Sequence, residues 1–165
     1  MRLIALVFLS GLKRLSEALN MLCWVAASLF MLVMVAAVAL QVISRYVFFS
    51  PPSWTEELAR YCMIWAGYLG ATVAFYRRED PVLVATQFVN TSFFSVLVSL
   101  IQNIAVLLFL IPIIYWSPDI LSHHLIRETE SLKLNSTYVM LIVPIFASVI
   151  VVHVMARLLS PTSKV

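Results

Sequence analysis

Charged residues are spaced along the chain so that they leave four long apolar stretches. The predicted spans cover approximately residues 21–43, 54–76, 91–116 and 138–155; in the second, residues 61–76 are uncharged and the helix is predicted to begin earlier, near Trp54. Each is close to the ~20 residues that a helix needs to cross the hydrocarbon core of a bilayer. Lipid offers no partners to backbone polar groups, and the alternation typical of strands is absent, so each stretch is predicted to be a helix. The pattern therefore predicts an all-α integral membrane protein with four transmembrane helices.

Composition supports this prediction and excludes a soluble catalytic domain. Hydrophobic residues make up 62% of the 165 residues, charged residues only 12%, and the mean hydropathy is +0.99. A soluble domain is about 45–50% apolar and about a quarter charged. No segment between the stretches is long enough for a core of its own. We therefore expect a single membrane domain over residues 1–165.

The basic residues predict the orientation of the chain. With four spans both termini lie on one side, and that side holds seven of the eleven Lys and Arg residues. The positive-inside rule places it in the cytoplasm. The net charge of +3 therefore indicates topology and no nucleic-acid partner. Residues 3–9 resemble the start of a signal peptide, but no cleavage pattern precedes Lys13-Arg14. We expect an N-terminal helix that lies at the interface or extends the first span.

Few polar groups inside the predicted spans are candidates for chemistry. Gln102 and Asn103 lie near the middle of the third span, where hydrogen bonds between helices are favoured over a solute site. His153 has no second histidine within the spans to share a haem with, which favours an interfacial position. Cys23 and Cys62 differ in depth by roughly 15–20 Å and are too far apart for a disulfide. We expect no catalytic group, no cofactor and no metal.

Small and aromatic side chains indicate packing and anchoring. Ala66, Gly67, Gly70 and Ala71 form two overlapping small-xxx-small pairs on the second span. Such pairs let helices approach closely, either within the chain or at a partner helix. Aromatic residues at the predicted outer boundary are typical interface anchors: Trp54, Tyr115, Trp116 and Tyr138.

The start of the second span carries the most informative charges. Ser53 and Glu56 have the spacing of a capping box. Arg60 follows Glu56 by four residues and Glu57 by three, so both carboxylates can reach it on the helix surface. Arg45 ends the preceding span across a short loop and completes a predicted charge cluster at the membrane boundary. We interpret this cluster as a cap and structural clamp, with direct contact to a partner or to lipid as the alternative.

This region resembles the small membrane subunit of tripartite ATP-independent periplasmic (TRAP) transporters. The similarity spans about residues 13–159 and is most specific in the Trp-x-Glu-Glu-Leu-Ala-Arg core at residues 54–60. After the second span the family usually has a His-Ile pair and soon an Asp, whereas this chain reads Asp80-Pro81-Val82. The other residues that carry the resemblance are Arg45-Tyr46, Gly70, the basic pair Arg77-Arg78 and Pro144.

The resemblance implies a function in transport across the bacterial inner membrane. Such subunits lack a substrate site and pair with a large permease that moves solute with sodium, supplied by a soluble periplasmic binding protein. The solutes of the family are organic acids, including C4-dicarboxylates and sialic acid. The residues agree, because no acidic side chain lies in mid-membrane and no repeated broken hairpin indicates a carrier core. The expected partners are the large permease, the binding protein and membrane lipids.

Two other functions fit a small four-helix membrane protein. A b-type cytochrome or quinone-linked thiol oxidoreductase would need axial histidines inside the bundle or neighbouring cysteines on the outer side. A small homo-oligomeric channel or exporter would need only copies of this chain. A purified protein without a haem absorption band would exclude the cytochrome, and the mass of the native complex would distinguish a heteromer from a ring of identical chains.

Overall fold

The computed structural model describes residues 2–77, 79, 92–125 and 128–158, and these residues are almost entirely helical. Within them we distinguish α1 (Arg2–Val47), α2 (Ser53–Arg77), α3 (Ser92–His124), α4 (Thr137–Met140) and α5 (Ile142–Leu158). The described part of the chain contains no sheet, and its one isolated bridge joins Glu128 to Asn135. The prediction of an all-α protein is confirmed.

Three segments are long and apolar enough to cross a membrane by length and composition. They are Ser10–Val47, Leu97–His123 and Thr137–Leu158. The second predicted span is also helical, but among the described helices α2 does not join this set. Its first turns carry Glu56, Glu57 and Arg60, and tyrosine, threonine and glycine dilute the apolar residues that follow. The structure thus supports three spans where the sequence predicts four.

One stripe of α1 faces the rest of the molecule and repeats every seven residues. Ser16, Cys23, Ala37 and Ser44 are buried on it, and Phe30 is partly buried in the same register. A seven-residue repeat keeps one face of a helix on its neighbour when the two helices supercoil with a left hand. From Ser10 onwards, most of the other side chains of α1 are exposed and largely apolar.

The buried positions of α2 follow one another at steps of four and three residues, which together also give a seven-residue repeat. It packs mainly on α1, and its members are mostly small, so the two backbones can approach closely. The aromatic rings of Phe30 and Trp65 meet between the helices, with centroids 5.3 Å apart. The buried positions of α2 are Thr55, Ala59, Cys62, Ala66, Leu69, Thr72 and Val73.

Helix α5 occupies the centre of the bundle, because it packs against α1, α2 and α3. Ile142, Ala147 and Val154 are fully buried there. Helix α3 packs on α5 and α4, and most of its side chains point away, including Leu108 and Phe109, which are 73% and 69% exposed. Apolar surface of this extent requires lipid or another protein to cover it.

One helix end agrees with one of two predicted alternatives, and another differs from its prediction. Helix α1 is continuous from Arg2, so the N-terminal residues extend the first helix. Helix α3 does not end at residue 116 but continues through Pro118 to His124. A proline removes one backbone hydrogen bond from a helix, and neighbouring side chains offset this loss. The Ser117 hydroxyl donates to the Ile113 carbonyl at 2.5 Å, whereas the carbonyl that Pro118 leaves without an N–H partner is that of Ile114.

The last predicted span is divided into two helices. Helix α4 ends at Met140 and α5 begins at Ile142. Pro144 explains the division, since it has no N–H to donate to the Met140 carbonyl four residues earlier. The helical path resumes at once, with Ile145 N–H donating to the Leu141 carbonyl at 3.3 Å.

Candidate functional site

The start of α2 is fixed by a side chain that the capping prediction did not include. The Thr55 hydroxyl donates to the Pro52 carbonyl at 2.7 Å. Ser53 is already helical, and the contacts of the described residues include no side-chain bond between Ser53 and Glu56. Glu56 turns outward and accepts from the Arg60 guanidinium at 3.2 Å, with both side chains exposed. An exposed pair of this kind contributes little to stability.

Glu57, next to it, makes the most extensive polar contacts at this end of the molecule. Its Oε1 accepts from the Tyr61 hydroxyl at 2.5 Å. Its Oε2 accepts from the backbone N–H groups of Ser131 and Leu132 at 2.8 Å and 2.9 Å. Several hydrogen bonds to a carboxylate stabilise its charged form. Glu57 is within reach of Arg60 on the helix surface, but its carboxylate is turned towards the loop before α4.

We call residues 128–135 the Glu57 loop. Thr129 fixes its shape, since its N–H donates to the Leu134 carbonyl at 2.8 Å and its hydroxyl accepts from the Leu134 N–H at 3.0 Å. Lys133 adopts a left-handed conformation with φ of 53°. Asn135 joins both ends, donating to the Leu125 carbonyl and accepting from the Thr137 N–H. Glu57 therefore binds a loop with defined internal contacts and connects α2 to the α3–α4 connection.

Arg45 and Trp54 do not join this contact. Arg45 is exposed and forms no ion pair with any residue that the structure describes. Trp54 is 41% exposed. The predicted charge cluster is thus separated into an exposed Glu56–Arg60 pair, a loop-binding Glu57 and an exposed Arg45 that pairs with neither carboxylate.

The small residues of α2 are divided between the interior and the surface. Ala66 is buried, Gly70 is partly buried, and both line an open groove of about 510 Å³ between α1 and α2. Gly67 and Ala71 are exposed. A methyl group added at Gly67 or Gly70 would meet no atom within 4 Å. Close packing within the chain therefore uses Ala66, while the two glycines border free space.

The two amides of α3 behave differently from each other. Asn103 is buried, and its Nδ2 donates to the Ser99 carbonyl of the same helix at 2.8 Å. Gln102 is exposed. The expected hydrogen bond between helices is replaced at Asn103 by one within α3, because Ser99 lies one turn before it.

A second polar contact joins α1 to α5 at the opposite end of the bundle. Ser16 Oγ and His153 Nδ1 are 2.7 Å apart, and His153 is only 3% exposed. The ring of Tyr76 lies 5.2 Å from the histidine ring, measured between centroids. The ring is thus enclosed by α1, α2 and its own helix α5, and the interfacial depth of His153 stays a prediction. One signal in the sequence was missed: Ser16 lies seven residues before Cys23, and this spacing places the serine on the same buried face of α1.

Arg157 connects α5 to α2 one turn further along. Its guanidinium donates to the Phe75 carbonyl at 2.7 Å and lies 4.6 Å from the centroid of the Phe75 ring. A basic side chain at the C-terminal end of a helix satisfies a carbonyl that the helix leaves free. Among the described residues no three His, Cys, Asp or Glu side chains are grouped to hold a metal ion.

These features define a class: a helical membrane protein whose polar side chains mainly join its own helices and loops. Comparison with known protein families then identifies the family within this class. The family described as "Tripartite ATP-independent periplasmic transporters, DctQ component" matches residues 34–163. The chain belongs to this family, and it is accordingly a transporter component and a multi-pass protein of the bacterial inner membrane.

Two individual relatives come from Haemophilus influenzae. One, named "Putative TRAP transporter small permease protein", is 40% identical over 76 residues, which are 46% of this chain and 44% of the relative. The other, named "Sialic acid TRAP transporter permease protein SiaT", is 39% identical over 56 residues, which are 34% of this chain and 9% of the relative. The chain thus matches less than half the length of either protein.

Proposed function

We propose that the chain is a non-catalytic subunit that scaffolds the large permease of a sodium-coupled organic-acid transporter. The observation that carries this proposal is that the polar side chains named above bind other groups of the same chain. Glu57 binds the loop before α4, His153 binds Ser16, and Asn103 binds its own helix. The first two contacts hold the bundle together, while the exposed apolar faces of α1 and α3 provide surface for another membrane protein.

The longer relative supports association with a large permease. Its 56 matched residues are 9% of its length, so that chain has about 620 residues. A segment similar to this protein is therefore part of a much larger permease protein in that relative. Its name also supports sialic acid as a solute, with C4-dicarboxylates as the other class that we consider. A periplasmic binding protein completes the proposed transporter.

We propose that α2 is the fourth span and that both termini are cytoplasmic. The contacts of α2 support this, because its first turns meet the Glu57 loop and its last turn meets Arg157 near the end of α5. Cysteine labelling in intact cells tests the arrangement. We expect Ser131→Cys to react with an impermeant thiol reagent from the periplasm and Glu79→Cys to react only after lysis. The native Cys23 and Cys62 are buried and give a low background.

Reconstitution tests the function. The chain should co-purify with a large permease in mild detergent, and the pair should take up sialic acid or a C4-dicarboxylate only with sodium and the binding protein present. The chain alone should move neither solute. Sodium-dependent uptake by the chain alone would contradict the scaffold role, and a native mass that corresponds to a ring of identical chains would favour a homo-oligomeric channel.

A further inference from the structure

The turn between α1 and α2 exposes a group of large side chains. Tyr46, Phe48 and Phe49 are 73%, 70% and 85% exposed. Arg45 and Trp54 are also exposed on either side of them. We call these five residues the turn patch. Aromatic residues normally bury much of their surface on folding, so their concentration at one turn requires an explanation.

The position of the turn patch indicates the membrane boundary. The apolar segment of α1 that is long enough to cross the membrane ends at Val47, inside the patch, and α2 begins at Ser53. The exposed apolar face of α1, with Val38, Val42 and Ile43, leads to the patch without interruption. Aromatic side chains are enriched where a span meets the headgroup layer. The patch is thus continuous with the exposed apolar surface of α1 and lies where that span ends.

The backbone of the turn keeps Phe49 outside the bundle. Phe48 N–H and Ser50 N–H both donate to the Ser44 carbonyl, at 3.2 Å and 3.3 Å. Phe49 has φ of 51°, a left-handed conformation that is uncommon for a bulky residue. These hydrogen bonds close the end of α1 around Phe49, and the ring projects away from the protein.

The charge of Arg45 is not neutralised by the carboxylates that follow it in the sequence. Glu56 pairs with Arg60, and both oxygens of Glu57 accept hydrogen bonds from Tyr61 and the Glu57 loop. Within the described part of the chain Arg45 forms no ion pair. A guanidinium binds phosphate oxygens through two parallel hydrogen bonds. At the membrane boundary the abundant phosphates are those of phospholipids.

We propose that the turn patch binds a phospholipid, with its phosphate at Arg45 and its glycerol and upper acyl region among the aromatic rings. The site rests on the membrane location of the chain and does not depend on its role in transport. A failure to find a large permease would therefore leave this proposal standing, and a failure of lipid binding would leave the scaffold role standing.

Native mass spectrometry of the full chain, with phosphatidylglycerol added to the detergent, tests the site. We expect Arg45→Gln to reduce the population with one bound lipid about fivefold, which corresponds to about 1 kcal/mol for a basic residue near a lipid surface. Arg45→Lys should retain part of the binding, because an ammonium group keeps the charge but cannot form the two parallel hydrogen bonds. Arg60→Gln is the matched control, since it removes an arginine at the same end whose charge is already paired.

A second measurement keeps the proposal testable if a variant folds poorly. A photo-crosslinking residue at Tyr46, in native membranes, should give an adduct with the mass of a phospholipid. An adduct with another protein at this position would overturn the proposal and assign the patch to a protein contact. Equal lipid binding by wild type and Arg45→Gln, or an equal loss in Arg60→Gln, would overturn it as well.

Discussion

Glu57 and His153 each find a partner in a distant part of the sequence. The carboxylate binds backbone groups 74 and 75 residues away, and the imidazole binds a serine hydroxyl 137 residues away. One contact lies at the turn end of the bundle and the other near the opposite end. Each joins elements that local sequence does not bring together, so each fixes how the helices are arranged.

Replacement of Glu57 by Gln should loosen the Glu57 loop. The amide keeps one oxygen acceptor but loses the charge that strengthens the hydrogen bonds from Ser131 and Leu132. We expect several-fold faster amide hydrogen exchange at these two residues, measured by mass spectrometry. Glu56→Gln, which disrupts only an exposed pair, should leave their exchange unchanged. Equal exchange in both variants would show that Glu57 does not hold the loop.

Ser16→Ala should destabilise the contact between α1 and α5. The substitution removes the partner of the buried His153 ring, and hydrogen bonds between membrane helices contribute about 0.6 kcal/mol on average and at most about 1.7 kcal/mol. We expect a lower midpoint of thermal unfolding in detergent. Ser28→Ala is the control, because the Ser28 hydroxyl bonds only to the Trp24 carbonyl of its own helix. A control as destabilised as Ser16→Ala would contradict this assignment.

At the scale of elements, the short helix α5 is the one that contacts all three other long helices. It has 17 residues and contacts three other long helices, so it needs small or closely fitted side chains on several faces. Ala147, with no exposed surface, lies beside Leu110 of α3. Pro144 interrupts the helical hydrogen bonds between α4 and α5. The direction of α4 and of the Glu57 loop is therefore independent of the axis of α5.

Ala147→Leu should therefore disrupt packing around α5. Overpacking of a filled core costs about 1–3 kcal/mol. We expect a reduced unfolding midpoint in detergent and a reduced yield of folded chain. Ala105→Leu adds the same atoms at an exposed position of α3 and should have little effect on either quantity. Tolerance of leucine at position 147 would mean that the space around α5 is not filled.

At the scale of the whole molecule, the helices are not equally well held. Helices α1, α2 and α5 contact one another, whereas α3 packs on α5 and the short α4. The uncovered surface of α3 is large and apolar, with Leu108 and Phe109 pointing outward. The chain is thus a three-helix unit with a fourth long helix at its side, which suits a subunit completed by a partner.

Hydrogen exchange should show this inequality directly. In detergent we expect the amides of α5 to exchange most slowly and those of α3 to exchange faster. Local opening of α3 exposes less buried surface than local opening of α5 and therefore costs less free energy. Addition of the large permease should slow exchange in whichever exposed helix it covers. Equal protection of α3 and α5 in the isolated chain would contradict this arrangement.

The sequence predicted the positions of the apolar helices well because hydrophobicity along the chain determines them. It predicted their ends less well, since Pro118 remains inside α3 while Pro144 separates two helices, and neighbouring contacts decide between these outcomes. The partners of Glu57 and His153 were missed for a related reason. Arg60 was within reach of Glu57 on the same helix, but the choice of the loop depends on the folded arrangement of α3 and α4.

The seven-residue repeat of α1 limits how its length can change. An inserted residue would rotate everything beyond it by about 100°, so that Ser16 and Ser44 could no longer face the bundle together. Loss of seven residues between them would keep both in register and only shorten the rod. Natural variation in the length of this helix is therefore expected in whole repeats, with single-residue insertions and deletions confined to its two ends.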